Sequence, residues 1–82
     1  MYDIKCEVIE NEFCQYVEGE YLIGRLTPHG MCAAGFVSIW PFANAMRQSD
    51  NTAFEDSNGE VTITCPDGWV QFKLSRIRDD EN

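Results

Sequence analysis

One stretch of the chain decides its fold: residues 32–46, which read CAAGFVSIWPFANAM. Apolar side chains recur in it at spacings of four, three, four and three residues, at Cys32, Phe36, Ile39, Ala43 and Met46. Because an α-helix completes a turn every 3.6 residues, this spacing places all five on one face. The pattern therefore predicts an amphipathic helix whose apolar stripe packs against the rest of the chain.

Prolines mark the start and the middle of this segment. Thr27 is a suitable N-cap, and Pro28 suits the first helical position, where a missing N–H costs no hydrogen bond. Pro41 lies inside the apolar pattern, where it removes a donor and crowds the preceding turn. The sequence therefore predicts a Pro-kinked helical segment, with one helix over about 30–40 and a second over about 41–48.

Alternating apolar and polar residues flank the helical segment on both sides. This period of two predicts strands at 2–10, 21–26, 61–65 and 70–74, with turns at Gly19, Asn58-Gly59 and Pro66-Asp67-Gly68. The expected fold is α+β: a small antiparallel β-sheet in the chain order β-β-α-β-β, with the Pro-kinked helix packed on one face. The pattern does not decide which strands lie at the centre.

The length and charge of the chain limit its organisation and its partners. The 82 residues predict one domain at 1–78 and a solvated acidic tail at 79–82. Fourteen acidic and six basic residues give a net charge of −8, a field that repels phosphate backbones and anionic lipid. We therefore expect no nucleic acid and no membrane as partner. The first residues carry no secretory signal pattern, so we expect a cytoplasmic protein with mostly reduced cysteines.

The four cysteines divide into a core residue and three candidates for chemistry. Cys6 follows the inward face of the first strand and is predicted to be core. Cys32 falls in the first turn of the predicted helix, where free N–H groups and the helix dipole stabilise a thiolate. It also lies on the apolar stripe, and cysteine packs well as a small hydrophobe. Both interpretations of Cys32 stay open.

Three cysteines and the single histidine form a candidate metal site. Cys14, Cys32 and Cys65 fall near loops and element ends, and with His29 they supply a Cys3His donor set for zinc or an iron–sulfur cluster. No two cysteines have the Cys-x-x-Cys spacing, so the ligands must come from separate elements. Cys32 with His29 is also the one conceivable nucleophile pair, and no complete catalytic set is present.

Aromatic residues supply candidates for an interaction patch. Trp69 is predicted on the outward face of its strand, and Trp40 and Phe42 flank Pro41. The favoured hypothesis is a non-catalytic, acidic accessory or protein-interaction domain that binds another protein or forms a homodimer. The alternative is a cysteine-centred metal, iron–sulfur or thiol-redox protein that uses Cys14, Cys32, Cys65 and possibly His29.

The two cysteine motifs resemble those of a family of small uncharacterised proteins from anaerobic bacteria and archaea. Residues 27–36, TPHGMCAAGF, resemble its Pro-x-Gly-x-Cys motif followed by an Ala-Phe pair, and residues 65–67, Cys-Pro-Asp, resemble its second motif. Further similarity lies at Glu18-Gly19-Glu20, Ile39, Pro41, Ala45, Arg47 and Arg76-Ile77. The chain departs from the family at Gly35, where alanine is usual, and at 49–51, which lacks the Gly-Gly and Pro-Trp steps. The resemblance implies a soluble fold and no assigned activity.

Overall fold

A computed structural model describes residues 1–12, 14–15 and 17–77 of the chain. Its elements are β1 (Asp3–Asn11), β2 (Glu20–Ile23), α1 (Ala33–Gln48), β3 (Val61–Thr64) and β4 (Val70–Ile77). This confirms a small α+β fold, with the helix between the second and third strands. The predicted tail at 79–82 lies outside the described residues. Among those described, no helix has the length and apolarity needed to cross a membrane.

The first and last strands lie at the centre of the sheet. The spatial order is β2-β1-β4-β3, and every neighbouring pair is antiparallel. Ile4 of β1 lies between Ile23 of β2 and Arg76 of β4. The register of β1 against β4 shifts between Val8 and Glu10, which marks a β-bulge. Pairing the two central strands closes the longest loop in the chain, a choice that no single strand pattern encodes.

The helix is one continuous element, and the predicted division at residue 41 is wrong. The predicted cap at Thr27 is also wrong, because α1 begins after Cys32, whose sulfur accepts a hydrogen bond from the backbone N–H of Gly35. Pro41 is exposed, and so is Val37 one turn before it. The missing hydrogen bond therefore lies on the solvent side of the helix, where a proline disturbs the packed face least.

The predicted apolar stripe faces the sheet. Ile39, Ala43 and Met46 are fully buried, whereas Cys32 and Phe36 are half-buried at the start of the helix. The helix packs mainly over β1, β3 and β4. The buried apolar side chains of the sheet are Ile4, Cys6, Ile23, Val61, Val70, Phe72 and Leu74.

A glycine allows the close approach between the helix and the sheet. A Cβ atom at Gly35 would lie 3.3 Å from the Phe72 ring and 3.3 Å from the Cys32 sulfur. The absence of a side chain at Gly35 thus has a packing reason in this chain.

A buried ion pair joins the end of the helix to the sheet. Arg76 lies on the core face of β4, where the other buried residues of the strand are apolar, and it is only 7% exposed. Its Nη1 and Nη2 donate to the two carboxylate oxygens of Glu55, the second at 2.8 Å, and the Glu55 side chain is equally buried. Its Nε donates to the carbonyl oxygens of Met46 at 3.0 Å and Ser49 at 2.8 Å. One guanidinium therefore caps the C-terminal end of α1 and anchors the following segment.

Removing the Glu55 carboxylate should destabilise the fold strongly. We expect Glu55→Ala to lower the free energy of unfolding by about 3–5 kcal/mol, because it leaves a buried guanidinium without a counter-charge. Urea unfolding followed by circular dichroism measures the loss. Glu60→Ala is the matched control, since Glu60 pairs with Lys73 at 3.6 Å near the surface and its loss should cost less than about 1 kcal/mol. Equal losses in the two variants would contradict the assignment.

The same pair predicts a pH dependence of stability. The hydrogen bond from Arg76 lowers the pKa of Glu55 to about 2, despite the burial that opposes ionisation. Protons therefore bind the unfolded chain before they bind folded Glu55, and stability falls as the pH drops from the ordinary glutamate range toward about 2. The contribution is on the order of 3 kcal/mol. Urea unfolding at pH 7, 4 and 2.5 should show a steeper acid loss in the native chain than in Glu55→Gln; parallel profiles would refute it.

Candidate functional site

Exposed apolar side chains gather where β2 leads into the helix. Leu22 is 57% exposed, Leu26 is 82% exposed, and Val37 in the second turn of α1 is 67% exposed. Two open depressions of about 700 and 290 Å³ meet at Thr27. The lining residues of the two, taken together, are Asp3, Leu22, Gly24, Arg25, Leu26, Thr27, Pro28, Met31, Ala33, Phe36 and Val37. We call this continuous surface the Thr27 groove.

Local contacts explain why the segment between β2 and α1 forms this groove. The strand ends at Ile23, and Gly24 lies so close to β1 that an added Cβ would be 3.3 Å from the carboxylate of Asp3. The hydroxyl group of Tyr21 donates to the carbonyl oxygen of Gly30 at 3.2 Å and accepts from the N–H of Glu18 at 3.1 Å. The segment is therefore held against the core side of β2.

The sequence patterns did not identify the apolar residues of the groove. Leu22 and Leu26 fall inside the strand predicted at 21–26, but the strand ends earlier and Leu26 projects into solvent. Val37 is apolar but lies off the stripe of buried helix residues. An apolar residue on the polar side of an amphipathic helix was the signal available for it.

The aromatic residues predicted as an interaction patch have different surroundings. Trp40 is half-buried, stacks on Phe36 with ring centres 5.4 Å apart, and lies under the guanidinium of Arg47 at 5.7 Å. Phe42 is half-buried and packs edge-on against Phe54 at 5.1 Å. Both side chains therefore contribute to packing within the chain.

Trp69 keeps a large exposed surface. It is 46% exposed and lies in the turn immediately before β4, not within the strand as predicted. Its carbonyl oxygen accepts a hydrogen bond from the N–H of Glu12 at 3.0 Å. The backbone at this position is thus fixed by pairing with the end of β1, and a contact role for Trp69 stays a prediction.

The face of the sheet turned away from α1 is charged. Glu7 lies between Lys5 at 3.6 Å and Lys73 at 3.7 Å. Lys5 also reaches Glu20 at 3.7 Å, and Lys73 reaches Glu60 at 3.6 Å. These alternating charges match a sheet with one face on the core and one in water. Leu22 of the Thr27 groove pairs with Lys5, so it lies on this same face, at its β2 edge.

Two cysteines have structural roles in the fold. Cys6 is fully buried, as predicted, and burial with the neighbouring Glu7 charge raises the pKa of its thiol to about 12. Cys32 lies immediately before the helix, where its sulfur is 3.4 Å from the Gly35 nitrogen. It thus caps the helix and borders the core at the same time. Its contact with the core agrees with the interpretation of Cys32 as a packing residue, and a functional role for its thiol stays a prediction.

The thiol of Cys65 has a lowered pKa, in contrast to the raised pKa of Cys6. Partial burial raises its pKa, but the backbone N–H groups of Val70, Trp69, Asp67 and Gly68 together outweigh burial and leave the pKa below its usual value. Gly68 permits this geometry because its φ is +78°, a conformation that side chains disfavour. The backbone amides of this turn thus favour the thiolate form of Cys65.

The predicted metal ligands are not assembled into one group. None of the four cysteines forms a disulfide, Cys14 and Cys65 are half-buried, and His29 is exposed. Within 1–12, 14–15 and 17–77, no three cysteine, histidine, aspartate or glutamate side chains form an arrangement that would hold a metal ion. The zinc or iron–sulfur site at Cys14, Cys32, Cys65 and His29 therefore stays a prediction.

The turn around Cys65 should make its thiol ionise at a lower pH than an ordinary cysteine. We expect iodoacetamide to alkylate Cys65 with a pH midpoint below that of the unfolded chain, while Cys6 reacts only after unfolding. Peptide mass spectrometry at a series of pH values measures each site. Gly68→Ala should shift the Cys65 midpoint upward, because it strains the turn that supplies these backbone amides.

Gly19→Ala is the matched control for this measurement. Gly19 has a similar φ of +75° and lies in the turn before β2. It should leave the Cys65 profile unchanged, although it too strains the backbone. If both variants shift the profile equally, or neither does, the backbone amides of the 65–70 turn do not set the pKa of this thiol.

Comparison of the chain with protein-family models, with curated proteins and with solved structures finds no match. The resemblance to the family with Pro-x-Gly-x-Cys and Cys-Pro-Asp motifs thus stays a prediction. Functional inference for this chain rests on the geometry of the Thr27 groove and of the Cys65 turn.

Proposed function

We propose that this chain is a non-catalytic protein-interaction domain that binds its partner through the Thr27 groove. The observation that carries the proposal is the exposure of Leu22, Leu26 and Val37 along one continuous surface. Burial of apolar area is worth roughly 25 cal/mol per Å², and contiguous apolar surface on a small domain usually marks a binding site. A partner that covers these side chains removes their apolar surface from water, and this burial stabilises the complex.

The shape of the groove favours a protein segment over an enclosed small molecule. Both depressions are open to solvent and share Thr27 at their junction. Small-molecule sites are usually deeper and enclose most of the ligand. An apolar ridge on another polypeptide suits a long shallow surface of this kind.

The charge of the chain defines the complementary partner surface. The net charge is −8, and the groove contains one acidic residue, Asp3, beside one basic residue, Arg25. A partner surface that sets a basic group beside apolar side chains therefore fits this groove at contact. The non-catalytic part of the proposal is supported by Cys32, whose sulfur caps the helix, and by His29, which is exposed.

A second candidate function is a thiol-based metal or redox site at Cys65. The lowered pKa of this thiol favours it, because the thiolate is both the metal ligand and the nucleophile. Elemental analysis of anaerobically purified chain tests it directly. Stoichiometric zinc or iron that disappears in Cys65→Ser would support this function, whereas metal-free protein with unreactive Cys65 would exclude it.

Charged substitutions in the groove should abolish partner binding. Immobilised chain is incubated with extract of its native source, and retained proteins are quantified by mass spectrometry. We expect Leu26→Glu and Val37→Glu to lose at least about tenfold of a specific partner, since each apolar contact is worth about 1.5–3 kcal/mol. The identified partner is then titrated in purified form against each variant.

Thr62→Glu is the control for this experiment. Thr62 is exposed on β3, at the opposite edge of the sheet, so its substitution should leave the partner bound. Circular dichroism confirms that all three variants fold. If the groove variants and the control retain the same proteins equally, the groove is not the binding surface.

A further inference from the structure

The strand β2 forms one edge of the sheet. Its register with β1 shows which of its backbone N–H and C=O groups point away from the sheet. The N–H of Val8 donates to the carbonyl oxygen of Gly19 at 2.8 Å, and the same ladder pairs Tyr21 with Cys6. Because hydrogen-bonded and non-hydrogen-bonded pairs alternate in antiparallel sheets, Tyr21 directs its backbone groups toward β1. Glu20 and Leu22 therefore direct their N–H and C=O groups away from the sheet.

Several features that keep edge strands apart are absent from this edge, although it is short and carries Glu20. Its sequence, EYLI, contains no lysine or proline, and no bulge interrupts its pairing with β1. Leu22 adds an exposed apolar side chain on the open face beside the edge. The opposite edge, β3, reads VTIT, exposes both of its threonines and is followed within two residues by Pro66. The β2 edge is thus the better template for another strand.

We infer that a second copy of this chain pairs with β2 edge to edge, antiparallel about a twofold axis. The inference rests on the proposed function, since Leu22 belongs to the Thr27 groove and the second copy is the partner of that surface. The two four-stranded sheets then become one continuous sheet, and the outward N–H and C=O groups of Glu20 and Leu22 are satisfied in both copies.

The side chains select one register for this pairing. Hydrogen-bonded pairs between the two copies can form only between residues whose backbone groups point away from β1, which are Glu20 and Leu22. A twofold axis that pairs these residues with each other or with themselves passes through Glu20, Tyr21 or Leu22. Centring at Glu20 places two carboxylates directly opposite each other, which is destabilising. Centring at Leu22 places Leu22 opposite Leu22 of the second copy and Glu20 opposite Gly24.

Charge complementarity supports the register centred at Leu22. Arg25 follows Gly24 and lines the groove together with Leu22, so this register brings a basic residue next to the position opposite Glu20 of the second copy. Symmetry repeats this contact, which gives two opposite-charge pairs around a central pair of leucines. Centring at Tyr21 would instead place Glu20 opposite Leu22 of the second copy. Arg25 would then lie further along the strand, away from Glu20 of the second copy.

Sedimentation equilibrium of the full chain over micromolar concentrations tests the dimer. Leu22→Pro removes an outward N–H without removing a hydrogen bond to β1, so it should raise the dimer dissociation constant at least about tenfold. Thr62→Pro is the matched control, because Thr62 directs its N–H outward from β3 in the same way. Circular dichroism confirms that both proline variants fold.

A charge exchange tests the register without disturbing the backbone. Arg25→Glu and Glu20→Lys should each weaken self-association, because like charges then meet across the axis. An equal mixture of the two variants should form the heterodimer preferentially in native mass spectrometry, since both charge pairs are restored in it. A statistical mixture of homodimers and heterodimers would overturn the register.

The outcomes separate this inference from the proposed function. A native chain that is monomeric throughout, or a dimer equally sensitive to Thr62→Pro and Leu22→Pro, overturns pairing through β2. If such a chain still loses a purified partner on Leu26→Glu, the Thr27 groove remains an interaction surface for a different protein. A dimer lost in Leu22→Pro and kept in Thr62→Pro supports the second copy as partner.

Discussion

The rest of the structure depends on one buried guanidinium. Arg76 occupies a position on β4 where the alternation of the strand places a core side chain. A charge in that position is tolerable only because Glu55 neutralises it and the carbonyl oxygens of Met46 and Ser49 accept its remaining hydrogen bonds. Removing Glu55 would leave a buried charge uncompensated, and losing either carbonyl contact would remove a hydrogen bond, so the ion pair ties distant segments to one arrangement.

This arrangement fixes where the helix lies and therefore where the groove opens. Arg76 holds the C-terminal end of α1 against β4, while Cys32 and Gly35 bring its start close to Phe72 on the same strand. With both ends fixed, the helix packs mainly over β1, β3 and β4. On the β2 side, the segment after Ile23 lies where the helix does not reach. This segment leaves the apolar side chains there exposed. The Thr27 groove is a consequence of that incomplete cover.

The groove and the cysteine sites make different use of the same small fold. The groove presents side chains that a partner can bury, and beside it β2 presents backbone groups that a strand can bind. Cys65 instead depends on a tight turn whose amides stabilise a negative sulfur. The net charge of −8 limits indiscriminate association through such apolar surface, because like-charged molecules repel at long range.

Local periodicity is sufficient to predict the fold class, the chain order of the elements, the buried stripe of α1 and the core position of Cys6. That Pro41 stays inside one helix depends on packing, because its missing hydrogen bond is harmless only where Val37 faces water. The central pairing of β1 with β4, the partner of Arg76 and the exposure of Leu26 depend on packing as well. Each of these depends on contacts between residues far apart in the chain, for which a local pattern of apolar and polar residues contains no information.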